Sequence, residues 1–375
     1  MRKVFFALAL CFVFSITTDV VEENKELTTL TNNQIVSTVD TAVSPVMEEQ
    51  ISSAVELISI NGKLLMDFPL TTDLNLSLNV DLVVSEQFTE EFSIIENIFT
   101  TIDANINTDI AIMIDCDSGA VLYEKNADIY WTAASLSKVF LLHMIMQKVE
   151  NGEINLDDYL DIDEEEWLGN IPADASVMFL EKGQRVTYRQ LIQGLSVVSA
   201  NDAAYLFVNK LFGGKDNYAR IVNDFLAKHG FNQIHLEEPS GLSKYNRITA
   251  RQFASFCELY LNKNKELLEE VHSLPSFTYP LTENFVEGKK YKYKTTTMKN
   301  TNTLIGRYDG VDGLKTGFLS VSGYNLAATA IRDGKRLLVV LLGSKSKGNI
   351  NGKVVLMEDA KKLFDKGFES FSTDN

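Results

Sequence analysis

The stretch from Trp131 to His143, Trp-Thr-Ala-Ala-Ser-Leu-Ser-Lys-Val-Phe-Leu-Leu-His, constrains this chain more than any other. A small-residue run, Thr132-Ala133-Ala134, leads into apolar residues at Val139, Leu142, Ile145 and Met146, spaced by three and four. That period predicts a helix that begins near Ser135 and runs into a core. Residues three apart share a helix face, so the Ser135 hydroxyl is placed beside the Lys138 ammonium. A serine hydroxyl is a poor nucleophile until a base takes its proton. A buried lysine can be that base, because burial and a neighbouring cation both disfavour its charged form.

S-x-x-K alone arises readily by chance. Two later stretches give it weight: Ser199-Ala200-Asn201, just before Asp202-Ala203-Ala204, and Lys315-Thr316-Gly317, within Val311 to Phe318. S-x-x-K, S-x-N and K-T-G in that order form the signature set of penicillin-binding proteins and serine β-lactamases.

The rest of the chain supplies the frame. Arg2 and Lys3 followed by the apolar run Val4 to Ile16 read as an export signal over residues 1–18, either cut near residues 17–19 or kept as an anchor. Of the formal charge of −16, seventeen acidic and two basic residues fall between Asp19 and Asp109, whereas residues 110–375 carry a net of only −3. This acidic balance disfavours nucleic acid and anionic membrane surfaces as partners. Residues 19–105 read as an acidic extension, partly disordered or a small accessory module. Within it, Leu74 to Leu82 alternates as a strand does, after a turn at Ile60 to Lys63. Cys116 and Cys257 fit no metal-ligand spacing; they are either a disulfide or buried thiols. The four histidines show no ligand spacing either, and the chemistry implied by S-x-x-K, S-x-N and K-T-G needs neither metal nor organic cofactor.

From residue 106 onward the chain reads as one α+β domain. Ile110 to Asp115 and Val121 to Tyr123 are strands joined by turn chemistry at Asp117-Ser118-Gly119. Thr187-x-x-Gln190 and Thr249-x-x-Gln252 are helix starts. Alternating Tyr and Lys from Lys290 to Lys294 suggest an exposed strand. Tyr324 to Ile331 and Leu337 to Leu342 make a hairpin through Asp333-Gly334-Lys335. Leu356, Ala360, Leu363, Phe364 and Phe371 mark a terminal amphipathic helix.

From about Ile110 to Phe371 the chain resembles the low-molecular-mass penicillin-binding, serine-type D-alanyl-D-alanine carboxypeptidases. The likeness covers Asp117 to Asp128, Ser199 to Ala204, Glu238-Pro-Ser-Gly-Leu242, Val311 to Gly317 and Ser322 to Leu326. It implies the β-lactamase/transpeptidase-like fold, an antiparallel sheet against a helical subdomain with the site in the cleft between. It also implies hydrolysis of the terminal D-alanine from peptidoglycan stem peptides ending in D-Ala-D-Ala, with β-lactam antibiotics as covalent inhibitors, in an exported or periplasmic protein. In that reading Ser135 is the nucleophile, Lys138 its base and Ser199 a proton relay. Asn201, Lys315, Thr316, Gly317 and Phe318 bind substrate. Lys315 adds positive field that lowers the Lys138 pKa, and the backbone N–H groups of Ser135 and Phe318 form the oxyanion hole. Relatives often carry His where this chain has Phe318, and many continue into a β-rich module; this chain ends about sixty residues past Lys315, so none is expected. D,D-Endopeptidase action is a close variant. The alternatives are a serine β-lactamase and a non-catalytic cell-wall or β-lactam-binding module. A class A β-lactamase needs a Glu-x-x-x-Asn; Glu258 and Asn262 have that spacing but fall on the helix capped at Thr249, and Glu237 and Glu238 read as loop charges.

Overall fold

The computed structural model describes residues 102–163 and 171–372. The expected export signal, the alternating segment at Leu74 to Leu82, the turn before it and nearly all of the acidic extension lie outside the described residues. The polypeptide from Ile102 onward is already attached to the domain: its N–H donates to the Leu122 carbonyl at 2.8 Å.

A five-stranded antiparallel sheet organises the domain, in the order β2-β1-β11-β10-β9. The strands are β1 (Ile110–Asp115), β2 (Val121–Lys125), β9 (Val311–Leu319), β10 (Gly323–Arg332) and β11 (Lys335–Ser344); between β2 and β9 the chain forms the short strands β3 (Trp131–Thr132), β4 (Tyr159–Asp161), β5 (Arg185–Thr187), β6 (Arg247–Ile248), β7 (Ser276–Tyr279) and β8 (Thr296–Lys299), which pair outside this sheet. All six residues of β1 are buried, because helices cover both faces of the sheet. Ile110, Ile112 and Ile114 point into one core with Leu338, Val340 and Leu342. Ala111 and Met113 point into the other with Val339 and Leu341. Arg332 pairs with Lys335, so the β10–β11 turn is the two residues Asp333-Gly334, both at positive φ (49° and 78°), the hand that suits strand twist.

On one face lies the long terminal helix Gly352–Ser372, which buries Leu356, Ala360, Leu363 and Phe364 along a single stripe. The opposite face carries the helical part. Its members include α1 (Ser137–Glu150), α2 (Tyr188–Gln193), α3 (Asn201–Phe212), α4 (Lys215–Lys228) and α5 (Ala250–Lys263). Thr187 and Gln190 form the expected capping box on α2, and the Thr249 side chain accepts from Gln252 N at the start of α5.

One expected strand is absent. Residues 290–294 are irregular, and the strand in this region is Thr296–Lys299, paired with Ser276–Tyr279. The alternation of Tyr and Lys has another cause. The Tyr291 hydroxyl reaches the Gly183 carbonyl (2.7 Å), and the Lys292 and Tyr293 N–H groups donate to the Glu181 carboxylate instead of to a neighbouring strand.

Asp359 ties the start of the domain to the terminal helix. Its fully buried carboxylate accepts from Thr108 N (2.7 Å), Thr108 Oγ1 (2.8 Å) and Asn107 N (3.0 Å). Asp359→Ala leaves these donors without a partner and is expected to cost about 2–3 kcal/mol. Urea unfolding followed by circular dichroism measures it; a midpoint equal to wild type would show that the tether contributes nothing.

Candidate active site

Ser135 lies in a single 3₁₀ turn, Ala134–Leu136, that runs directly into α1. Ala134, just before it, is held at φ 49°, a left-handed conformation that a residue with a Cβ adopts only under constraint from its surroundings. Lys138 follows one turn later and is fully buried. Its Nζ lies 3.1 Å from Ser135 Oγ and 2.7 Å from Asn201 Oδ1, and it also donates to the Ser240 carbonyl. An ammonium has three N–H groups, and three acceptors surround this one. On losing a proton the amine offers a lone pair to the Ser135 hydroxyl.

Burial pushes the Lys138 pKa down to about 7, while the negative charges of Glu238 and Asp202 pull it back up. Lys315 is also buried; its pKa is held well below the usual range by burial first, then by repulsion from Lys138 and Lys353. Burial is the largest cause at both amines, and repulsion between the two buried cations adds to it. Lys315 Nζ rests on the Thr316 carbonyl at 2.8 Å. An incoming carboxylate would favour its charged form.

Asn201 opens α3. Its Nδ2 donates to the Ser176 carbonyl at 3.0 Å while its Oδ1 accepts from Lys138, which leaves one amide hydrogen for a ligand. Ser199 sits on the bend ahead of α3 at φ 63°, after a π-helical turn over Gly194–Val198. That turn is anchored from below: Ser196 Oγ meets His272 Nδ1, and His272 Nε2 meets the Tyr260 hydroxyl, both at 2.7 Å. Burial pushes His272 down to about 4, so the ring is neutral and serves as a spacer between two hydroxyls.

Strand β9 closes the site. A Cβ on Gly317 would lie 3.0 Å from Ser135 N and 3.1 Å from the Ala133 carbonyl. The missing side chain thus makes room for the turn that holds Ser135. Phe318 follows, half exposed, with its ring 4.4 Å from that of Tyr324 on β10. Thr316 is half-buried beside it.

Two contributors escaped the sequence reading. Ser240 acts through its carbonyl, which any residue possesses; only its place in Glu238-Pro-Ser-Gly-Leu242 hinted at a role. Asn325 on β10 donates to the Thr132 and Ala133 carbonyls (2.9 and 3.2 Å) and fixes the approach to Ser135. Glu238 is no loop charge: it is buried, because N–H and hydroxyl donors surround it. Glu258 and Asn262 are not brought to the site. Glu258 is half-buried near Gly119, where burial and Asp115 raise its pKa, and Asn262 is exposed. Cys116 and Cys257 are free thiols. Among the described residues no group of His, Cys, Asp and Glu is arranged to hold a metal ion, and no helix is long and apolar enough to cross a membrane.

A family profile for D-alanyl-D-alanine carboxypeptidases matches residues 97–346. The chain is 27% identical over 249 residues to D-alanyl-D-alanine carboxypeptidase DacF of Bacillus subtilis (strain 168), covering 66% of this chain and 60% of that protein. It is 29% identical over 273 residues to DacA of Escherichia coli (strain K12), covering 72% and 63%. The chain thus spans about three-fifths of the length of these curated relatives. Among solved structures it resembles penicillin-binding protein 6B from Escherichia coli (TM-score 0.61, 27% identity, 72% of this chain and 80% of that one). It also resembles penicillin-binding protein D2 from Listeria monocytogenes in its ampicillin-bound form (TM-score 0.58, 26% identity, 71% and 99%).

The tight passage at Gly317 is testable. Gly317→Ala is expected to move β9 away from Ser135 by a few tenths of an ångström and to slow covalent labelling of Ser135 by a fluorescent penicillin by about tenfold or more. Ser255→Ala, on the exposed face of α5, serves as control. Equal labelling of the two variants would show that the close approach is not needed.

Proposed function

The chain belongs to the D-alanyl-D-alanine carboxypeptidase family, and from that premise we propose that it removes the terminal D-alanine from peptidoglycan stem peptides through a Ser135 acyl-enzyme. The observation that carries this reading is Lys138: fully buried, 3.1 Å from Ser135 Oγ, with a pKa near 7 that leaves it free to take a proton at neutral pH.

Ser135 Oγ attacks the carbonyl carbon of the penultimate D-alanine as Lys138 takes its proton. The oxyanion is met by the backbone N–H groups of Ser135 and Phe318; one such donor is worth about 3–4 kcal/mol. Ser199 passes a proton to the leaving D-alanine nitrogen, the C–N bond breaks, and water then hydrolyses the serine ester. Asn201 spans Lys138 and the substrate backbone. Lys315 and the Thr316 hydroxyl take the terminal carboxylate, which would restore the Lys315 charge. β-Lactams present a comparable carbonyl and carboxylate and would acylate Ser135; the ampicillin-bound relative supports this. Such a substrate lies outside the cytoplasmic membrane, so the reading includes export directed by residues 1–18. Residues 19–105 would be an accessory extension without a part in the chemistry.

Mass spectrometry of the purified chain with a pentapeptide ending in D-Ala-D-Ala tests the reading: loss of one D-alanine is expected, abolished in Ser135→Ala. Penicillin turnover at many per second would instead favour a β-lactamase, and absence of any adduct a non-catalytic module. The base assignment makes a separate prediction. Only neutral Lys138 can accept the proton, so the acylation rate should climb as pH rises through about 7 and then level off. A rate independent of pH from 5 to 9 would exclude Lys138 as the base.

A further inference from the structure

We infer that Glu238 is a positioning residue for the acyl-transfer reaction: its buried carboxylate folds residues 238–246 around itself and so holds the Ser240 carbonyl on Lys138. The inference rests on the acyl-transfer reading above.

Glu238 carries a full side-chain hydrogen-bonding load. Oε1 accepts from Gly241 N (2.6 Å), Ser243 N (3.2 Å) and Asn246 Nδ2 (3.1 Å). Oε2 accepts from Ser240 N (2.8 Å), Ser240 Oγ (2.5 Å) and the Tyr205 hydroxyl on α3 (3.3 Å). Every partner is a donor, so this pocket is built for a carboxylate; a carboxamide would turn its own N–H₂ against one set of them. The knot reaches the catalytic turn twice more. Asn246 Nδ2 also lies 2.9 Å from Ser137 Oγ, and the Asn246 carbonyl accepts from Ala133 N at 2.9 Å. Gly241, at φ 86°, passes so close to Ala134 that a Cβ there would sit 1.9 Å from its carbonyl oxygen. The segment is therefore clamped over the nucleophile, and the Ser240 carbonyl at its apex contacts both Lys138 Nζ and, at 3.4 Å, Ser135 Oγ.

The carboxylate acts through charge as well. The ionisable groups that face Lys138 are Glu238 from this segment, Asp202 from α3 and Lys315 from β9. Those that face Glu238, besides Lys138, are Tyr205 and Tyr218, which burial keeps neutral, Tyr205 at about 12. Glu238 thus stabilises the charged form of Lys138 and offsets part of its burial. The sign follows: removing the negative charge lowers the Lys138 pKa and extends the neutral base to lower pH.

The test is the pH dependence of acylation by a fluorescent penicillin, read as a second-order rate constant. In Glu238→Gln the plateau rate is expected to fall about tenfold or more as Ser240 shifts, and the acid limb to move down by about one pH unit. Tyr205→Phe, which removes a donor but no charge, should leave the limb in place. Glu238→Asp keeps the charge on a shorter arm; it should lose plateau rate with an unmoved limb, and it decides the matter alone if the Gln variant does not fold. An unmoved or raised limb in Glu238→Gln, or a full plateau rate in Glu238→Asp, overturns the inference. A wild-type chain that never acylates overturns the acyl-transfer reading, and this inference with it; normal wild-type acylation beside an unmoved Gln variant overturns the inference alone.

Discussion

Taking the Lys138 ammonium out of water costs several kcal/mol unless each of its N–H groups finds an acceptor. Its acceptors come from three separate parts of the chain: Ser135 on its own turn, Asn201 at the head of α3, and the Ser240 carbonyl on a clamped segment. None can shift without leaving a buried charge unpaired. The same arrangement tunes the chemistry, since partial compensation leaves the amine poised near neutrality where full compensation would keep it protonated.

The surrounding fold supplies rigidity at the points where that arrangement is strained. Ala134 and Ser199 both lie in the left-handed region, and such residues persist only where packing over-determines them. Ala134 is fully buried beneath Gly241 and beside Gly317, two positions that admit no Cβ without displacement. Ser199 is held by a π turn whose Ser196 is tied through His272 to Tyr260. The sheet, with a core on each face, carries β9 to this place as a stiff edge.

The two lysines divide the available charge between them. Glu238 and Asp202 act on Lys138, whereas the charges that act on Lys315 are other lysines, so the carboxylate of the proposed substrate would be its counter-ion. In the proposed reaction a bound carboxylate would favour the charged form of Lys315, which couples occupancy to electrostatics.

Much of this was legible in the residues themselves. Apolar periodicity located α1, the buried strand β1 and the terminal helix, and side-chain chemistry located the caps at Thr187 and Thr249, because these are local effects with spacings set by helix and strand geometry. The motifs at Ser135, Ser199 and Lys315 pointed to the side chains that the proposed chemistry uses. Local pattern failed at residues 290–294, where contacts to Gly183 and Glu181, more than a hundred positions away, replace strand pairing. It failed at Glu238, where charge suggested exposure but donors from its own loop and from α3 allow burial. It could not find the Ser240 carbonyl, since a backbone oxygen has no sequence signature. The sequence by itself determined which side chains can do chemistry and which elements carry them. Tertiary structure alone decided which groups meet, how deeply each is buried and hence which amine is poised to serve as the proposed base, because desolvation and charge pairing depend on distances between residues far apart along the chain.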